Sequence, residues 1–391
     1  MITQFIEFIH NKLTFFLGKL TTGRWKIKTI VFISLLSLIS SFPDLLCNRK
    51  HMDHFVISAV QWQIDNPLKP IPAEFIEVKG DDDKLKGSKA HIEKRNTRIV
   101  IPVLAHLLHL DIWSIMLLQI LVSILFLYIV LLIVYEISDD KLLSVTFLLL
   151  FSCTLAGKWP FHSIFYFDGY AMFFLALAIY LRNPLFIFLL IILAGFTDER
   201  AFIASSFVFI WHQFRTSNFQ LNSSLFKLNS ISVSIVIAWI TYFCFRIYLL
   251  KQYELSTPKQ LVGLSVIIDN FNFTPLSFLL VFEAGWFLIF MILYKLYKGR
   301  NFFNFSILTI AFMISFSAAL SVYDIGRSSA YTFSFQIIAF AIAVKNMKID
   351  ELRKDINFVA FLCLFIPSHF VFANKVYWLS PVFPKILKLL N

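Results

Sequence analysis

The 391-residue chain is 58% hydrophobic and 15% charged, with 35 Lys and Arg against 24 Asp and Glu. So small a charged share excludes an ordinary soluble domain, where about a quarter of residues are charged. In a chain of many apolar spans, the net charge of +11 follows from Lys and Arg held at cytoplasmic helix ends, and it does not imply nucleic-acid binding.

Residues 2–20 mix Phe and Ile with Lys12 and Lys19 and read as an amphipathic helix on the membrane surface. About eleven spanning helices follow, near 29–46, 112–135, 141–156, 163–181, 184–196, 201–214, 229–249, 274–294, 303–321, 328–344 and 356–372. The pair 184–196 and 201–214 is short and fits a re-entrant hairpin as well as two crossings. The expected fold is therefore all-α and polytopic. It divides into a cytoplasmic interfacial helix (1–28), an N-terminal membrane module (29–214) and a C-terminal membrane module (215–391). Cys47, Cys153, Cys244 and Cys363 lie far apart, three of them inside apolar segments, and indicate neither a disulfide framework nor a metal site.

Orientation follows from the short loops. With the N-terminus in the cytoplasm, the inner segments hold sixteen Lys and Arg and the outer short segments and tail hold nine. The long 43–111 loop then lies outside. Its MDHFVISAVQW stretch has apolar residues at helical spacing, Phe55, Val56, Ala59, Val60 and Trp62, and its return, RNTRIVIPVLAHLLHL, reads as a second amphipathic helix.

This topology gathers Asp44, Asp53, Arg98, His162, Asp168, Asp198, Glu199, Arg200, Arg246, Asp324 and Arg327 at the outer face or outer third, with Glu283 deeper. Ionisable groups within spans are costly and usually face a wet, protein-lined cavity. A cavity with both carboxylates and arginines suits an anionic ligand and a general base. Each residue also has a plainer reading. Asp53 and Asp44 suit helix caps, and Asp198-Glu199-Arg200 suits a polar turn. Asp324 and Arg327 suit a structural ion pair one helical turn apart. Glu283 suits a protonated, hydrogen-bonded core position, and His106 and His109 suit interfacial packing.

The pattern resembles the GT-C superfamily of membrane glycosyltransferases, which use polyprenyl-phosphate-linked sugars. The likeness rests on MDHFVISA in the first outer loop, on TRIVIPVLAHLL with its R-x-x-x-P-x-L pattern, and on FDGYAMFFLAL followed by the charged turn FTDERAF. It covers about the first 200 residues. It implies inverting transfer of a sugar to a glycan, glycolipid or protein acceptor during cell-envelope polysaccharide synthesis. Asp53, or Asp44, is then the catalytic base, and Arg98, Arg200 or Arg327 holds the donor phosphate. Asp168, Asp198, Glu199 and His162 lie on the substrate side. An acidic pair found in several branches is here Asp53-His54, which leaves open both the identity of the base and the use of a divalent metal ion. The lack of a retention or lipidation signal favours a bacterial inner membrane with a periplasmic or extracellular active face. The rival readings are a polysaccharide polymerase or ligase, a transporter, and a non-enzymatic assembly subunit.

Overall fold

A computed structural model describes residues 2–47, 54–72, 95–162, 167–216, 228–255, 264–269, 271–300, 302–322, 324–365, 369–372 and 375–378. The expected N-terminal helix is present as α1 (Ile2–Gly18). It packs on α18 (Ile349–Phe365) through Lys354–Glu7 at 3.0 Å, Asn357 to His10 and Thr14, and Phe5 against Phe361. Phe8, Phe15 and Phe16 are left exposed.

The centre of the bundle is made by helices that are apolar on every side, as burial all round requires. In α6 (Lys141–Cys153) every residue from Leu143 to Cys153 is buried, and in α17 (Phe333–Asn346) every residue from Phe333 to Ala343 is buried. Their rings meet at Phe147–Phe340, with centroids 4.4 Å apart. The long helix α5 (Ile112–Ser138) lays Phe126 against Phe333. One continuous apolar core runs from Leu17 to Cys363 and draws on residues either side of position 215.

Among the described residues, two helices are long and apolar enough to cross a membrane, α5 and α11 (Ser230–Gln252). A third span arises if α6 and α7 (Leu155–His162), bent by 71°, count as one. The outward surface carries apolar stripes at helical spacing. They include Leu117, Leu121 and Leu125 on α5, Val233, Ile237 and Ile240 on α11, and Phe287, Phe290, Tyr294 and Tyr297 on α14 (Gly285–Lys298). Soluble monomers rarely leave contiguous apolar surface of this kind.

Several expected spans are interrupted. The 141–156 segment breaks at Thr154. The 274–294 segment breaks at Glu283 (φ 50°) between α13 (Thr274–Phe282) and α14. The 328–344 segment divides into α16 (Ile325–Ala330) and α17. The last expected span, 356–372, is corrected: α18 covers its first part to Phe365, while residues 369–372 are a strand, and the sequence between them holds Pro367, which disfavours helical backbone in the residue ahead of it. A hairpin then pairs β1 (His369–Phe372) with β2 (Lys375–Trp378), so the fold is helical apart from this one ribbon among the described residues. The remaining helices are α2 (Trp25–Cys47), α3 (His54–Asp65), α4 (Val100–Leu107), α8 (Asp168–Tyr180), α9 (Pro184–Thr197), α10 (Glu199–Thr216), α12 (Leu264–Asp269) and α15 (Phe302–Leu320).

At the bend between α6 and α7, Gly157 donates its N–H to Thr154 O at 3.1 Å, and an added Cβ would lie 2.1 Å from the Phe151 carbonyl oxygen. That neighbour is backbone and has no rotamer to change. Gly157→Ala is expected to lower the thermal unfolding midpoint of the purified protein by an amount equivalent to about 1–3 kcal/mol. An unchanged midpoint would mean that the bend is looser than described.

Candidate functional site: a buried arginine–carboxylate cluster

The long loop expected over 43–111 returns to the bundle in a clamped form at residues 95–98. Gln63 donates to Arg95 O at 2.9 Å, Ile71 N donates to the Asn96 side chain at 3.0 Å, and His106 Nδ1 sits 2.9 Å from Ile64 O. Ala59 and Val60 of α3 are buried, as their spacing predicts, together with Ile64 and with Ile101 and Ala105 of α4. Together these contacts bring Arg98 over the start of α8.

That start is itself tightly constrained. Phe167 takes left-handed backbone (φ 62°), and α8 opens at Asp168. Asp168 is therefore the first residue of its helix, whereas the sequence places it about one and a half turns inside a span. Gly169 lets the helix approach α5 and α7, since a Cβ there would lie 2.8 Å from Ser123 Oγ. Tyr170 fixes the register by donating to Ile115 O at 2.6 Å.

Between α9 and α10 only Asp198 is non-helical. It caps α10 by accepting from Arg200 N at 3.0 Å, the ordinary use of Asp at this position. On α16, Asp324 is the N-cap, accepting from Arg327 N at 3.3 Å.

These four pieces of chain converge on one cluster. Arg98 grips Glu199 with two hydrogen bonds, Nε to Oε2 at 3.0 Å and Nη2 to Oε1 at 2.8 Å, and its Nη1 lies 3.1 Å from Asp198. Arg327 donates Nε to Asp168 at 2.7 Å and Nη2 to Asp198 at 3.1 Å. Arg200 Nε lies 3.1 Å from Asp198, so three guanidiniums surround this one fully buried carboxylate. Asp168 also accepts from Tyr331 Oη at 2.6 Å and Trp159 Nε1 at 3.2 Å. Burial alone would raise the Glu199 carboxyl; the charge and hydrogen bonds of Arg98 overcome this and hold it well below the usual carboxylate range. Burial would likewise depress Arg98, but Asp198 and then Glu199 push it upward instead.

The structure thus unites Arg98, Asp168, Asp198, Glu199, Arg200, Asp324 and Arg327. Arg246 stands apart and donates to Tyr242 Oη at 2.7 Å. The expected Asp324–Arg327 ion pair is present at 3.8 Å, and Arg327 makes shorter contacts with Asp168 and Asp198 that one-turn spacing does not reveal. Glu283, read as a neutral core residue, has Lys158 Nζ at 3.8 Å. Asp44 lies within α2, which continues through Pro43 to Cys47, and so does not cap that helix. The side chains of Asp44 and His162, and all of Asp53, lie outside the described residues.

The carboxylates do not line a wide cavity. Asp168 and Asp198 are fully buried and already paired. What opens beside them is a cleft of about 20 Å³ bordered by Arg200, Ser328, Tyr331 and Thr332, enough for about one water molecule. Arg200 is the least satisfied cation of the three. Its Nη1 is buried without a hydrogen-bond partner and has Asp324 only at 3.9 Å. The donor set does not fit a divalent ion. Each carboxylate is engaged by a guanidinium, and no three His, Cys, Asp or Glu among the described residues are placed to ligate one metal.

No family model, curated protein or solved structure matches the chain. The chemistry of the cluster therefore rests on its geometry.

Trp159 and Tyr331 escape a reading of the sequence. Each sits in an apolar or small-residue context, KWPFH and SSAYT, where an aromatic residue reads as core. Their polar ends gain meaning only once Asp168 is placed between them.

Proposed function

We propose that this is an integral membrane protein that transfers a sugar from a polyprenyl-phosphate donor to a cell-envelope acceptor, at the end of the bundle carrying the Asp198 cluster. The membrane reading is supported by the outward apolar stripes and the helices of spanning length. The orientation is supported by the segregation of charge. Arg182, Arg215, Lys345 and Arg353 occupy the helix ends opposite the cluster, so that the cluster end is the extracytoplasmic one.

The observation that carries the functional reading is the buried Arg200 Nη1 at the cleft. A guanidinium with one edge fixed by Asp198 and another unsatisfied is prepared to receive a phosphate oxygen as charge grows on it. Arg98 and Arg327 are committed to carboxylates, so among the three candidates the donor-phosphate role falls to Arg200. Asp168, Asp198 and Glu199 act as positioning residues that hold the arginines. In the proposed step a carboxylate, by sequence position Asp53, takes the proton of the acceptor hydroxyl. The acceptor oxygen bonds to the anomeric carbon from the face opposite the phosphate. The bond from that carbon to the phosphate oxygen breaks, and its electron pair leaves on polyprenyl phosphate.

The test is sugar release by the purified protein in nanodiscs from a panel of polyprenyl-phosphate sugars, with acceptor-containing membrane extract, wild type beside Asp53→Asn. Turnover of one donor that disappears in the variant supports both the reaction and the base. Turnover surviving in Asp53→Asn moves the base to another carboxylate. No turnover with any donor contradicts the transfer.

One observation favours transport as a second reading. The helix breaks at Thr154 and Glu283 bring Lys158 and Glu283 together inside the protein, as discontinuous helices do around the ion sites of transporters. Donor-independent uptake of a solute into proteoliposomes, lost in Glu283→Gln, would favour that reading.

A further inference from the structure

The helices that carry the arginine–carboxylate cluster at one end frame a pocket at the other. On α10, Glu199 belongs to the cluster and Arg215 to the pocket, sixteen residues or roughly 24 Å farther along. The pocket has a volume of about 360 Å³, within the range of small-molecule sites. Its charged lining is Arg182, Arg215 and Lys345 against the single carboxylate of Glu136, and Trp211 and His212 complete its polar wall. Ile133, Ile137 and Ile231 supply an apolar side.

We propose that this pocket binds a phosphate ester. The three cations differ in ways that suit an anion site. Arg215 is fixed: its Nη1 donates to Tyr180 O at 3.1 Å and Ile179 O at 3.4 Å, satisfying the last carbonyls of α8, and its Nη2 bonds Glu136. Arg182 also bonds Glu136, but its side chain is 72% exposed and free to turn toward a ligand. Lys345 makes no hydrogen bond or ion pair with the described residues and is exposed at the rim. Glu136 therefore helps fix Arg215 and leaves Arg182 exposed at the mouth without neutralising the site, and two positive charges remain in excess. A phosphate ester satisfies this excess through two or three oxygens, the bidentate geometry in which arginine exceeds lysine. His212 does not compete for the anion through Nε2, since that nitrogen lies 2.9 Å from the Ala178 carbonyl oxygen and must donate to it.

The shared chemistry is a phosphate monoester or diester. It can come from the headgroup of an anionic lipid, which basic pockets between helices at the cytoplasmic surface recognise, or from a soluble phosphate ester. This inference does not depend on the sugar-transfer reading.

Native mass spectrometry of the full chain in detergent separates the outcomes. Wild type is loaded with phosphatidylglycerol or phosphatidylcholine and compared with Arg182→Gln/Lys345→Gln, a variant at two exposed positions. The expected result is retention of phosphatidylglycerol over phosphatidylcholine, and a loss of roughly tenfold or more in the double variant. Glycerol phosphate that displaces the lipid at millimolar concentration assigns the site to soluble esters. Failure to displace it assigns the site to the lipid headgroup. Equal retention of the two lipids by wild type, or undiminished phosphatidylglycerol on the variant, overturns the proposal.

Discussion

Asp198→Asn is expected to destabilise the protein by about 3–5 kcal/mol, the cost of leaving buried charge uncompensated. The Asp198 carboxylate is fully buried and lies 3.1 Å from each of Arg98, Arg200 and Arg327. An amide cannot offset three guanidiniums, and its NH2 group points a donor at other donors. A second change should repair part of the loss. In Asp198→Asn/Arg327→Met one cation is gone, while Asp168 keeps its hydrogen bonds from Tyr331 and Trp159. The double variant should unfold at a higher temperature than the sum of the single effects predicts, with a coupling of about 0.5–3 kcal/mol. A shift within about 0.5 kcal/mol for Asp198→Asn, the size of an ordinary surface substitution, would show that the cluster is not assembled as described.

Arg200→Gln should behave in the opposite way, losing activity more than stability. The residue's backbone N–H still caps onto Asp198, and the variant removes only the Nε contact at 3.1 Å and a distant approach to Asp324. Transfer from a polyprenyl-phosphate sugar is expected to fall roughly 10²–10³-fold, as for loss of one preorganised donor to a developing oxyanion. Arg200→Lys should recover part of the rate, since it restores the charge but not the planar fork. Folded Arg200→Gln with full transfer would remove Arg200 from the phosphate.

The charges were legible in the sequence because helix parity decides which loop ends share a face. Arg98, Asp168, the Asp198-Glu199 pair and Arg327 lie far apart in the chain, yet the helices between them return these charged turns to one end of the bundle. The pairing was legible only in part. One-turn spacing gives the Asp324–Arg327 pair at 3.8 Å, but not the shorter contacts of Arg327 with Asp168 and Asp198, which come from distant parts of the chain. The helix breaks were also hidden. Gly157 and Gly285 lie two or three residues past the breaks, inside the helices that follow, and Glu283 itself takes left-handed backbone although it has a side chain. The end of α18 was marked by Pro367, and the β1–β2 ribbon by the β-branched and aromatic residues of HFVF and KVYW. The apolar segments on either side of Pro367-Ser368-His369 masked both signals.

The most direct measurement of the central claim is a single-turnover test with one polyprenyl-phosphate sugar labelled at its anomeric carbon, with the protein in nanodiscs in excess over donor. The account predicts that the label leaves the lipid, that free polyprenyl phosphate appears in equal amount, and that the product carries the inverted anomeric configuration. Retained configuration, or label still on the lipid when wild type is folded and acceptor is present, would contradict it.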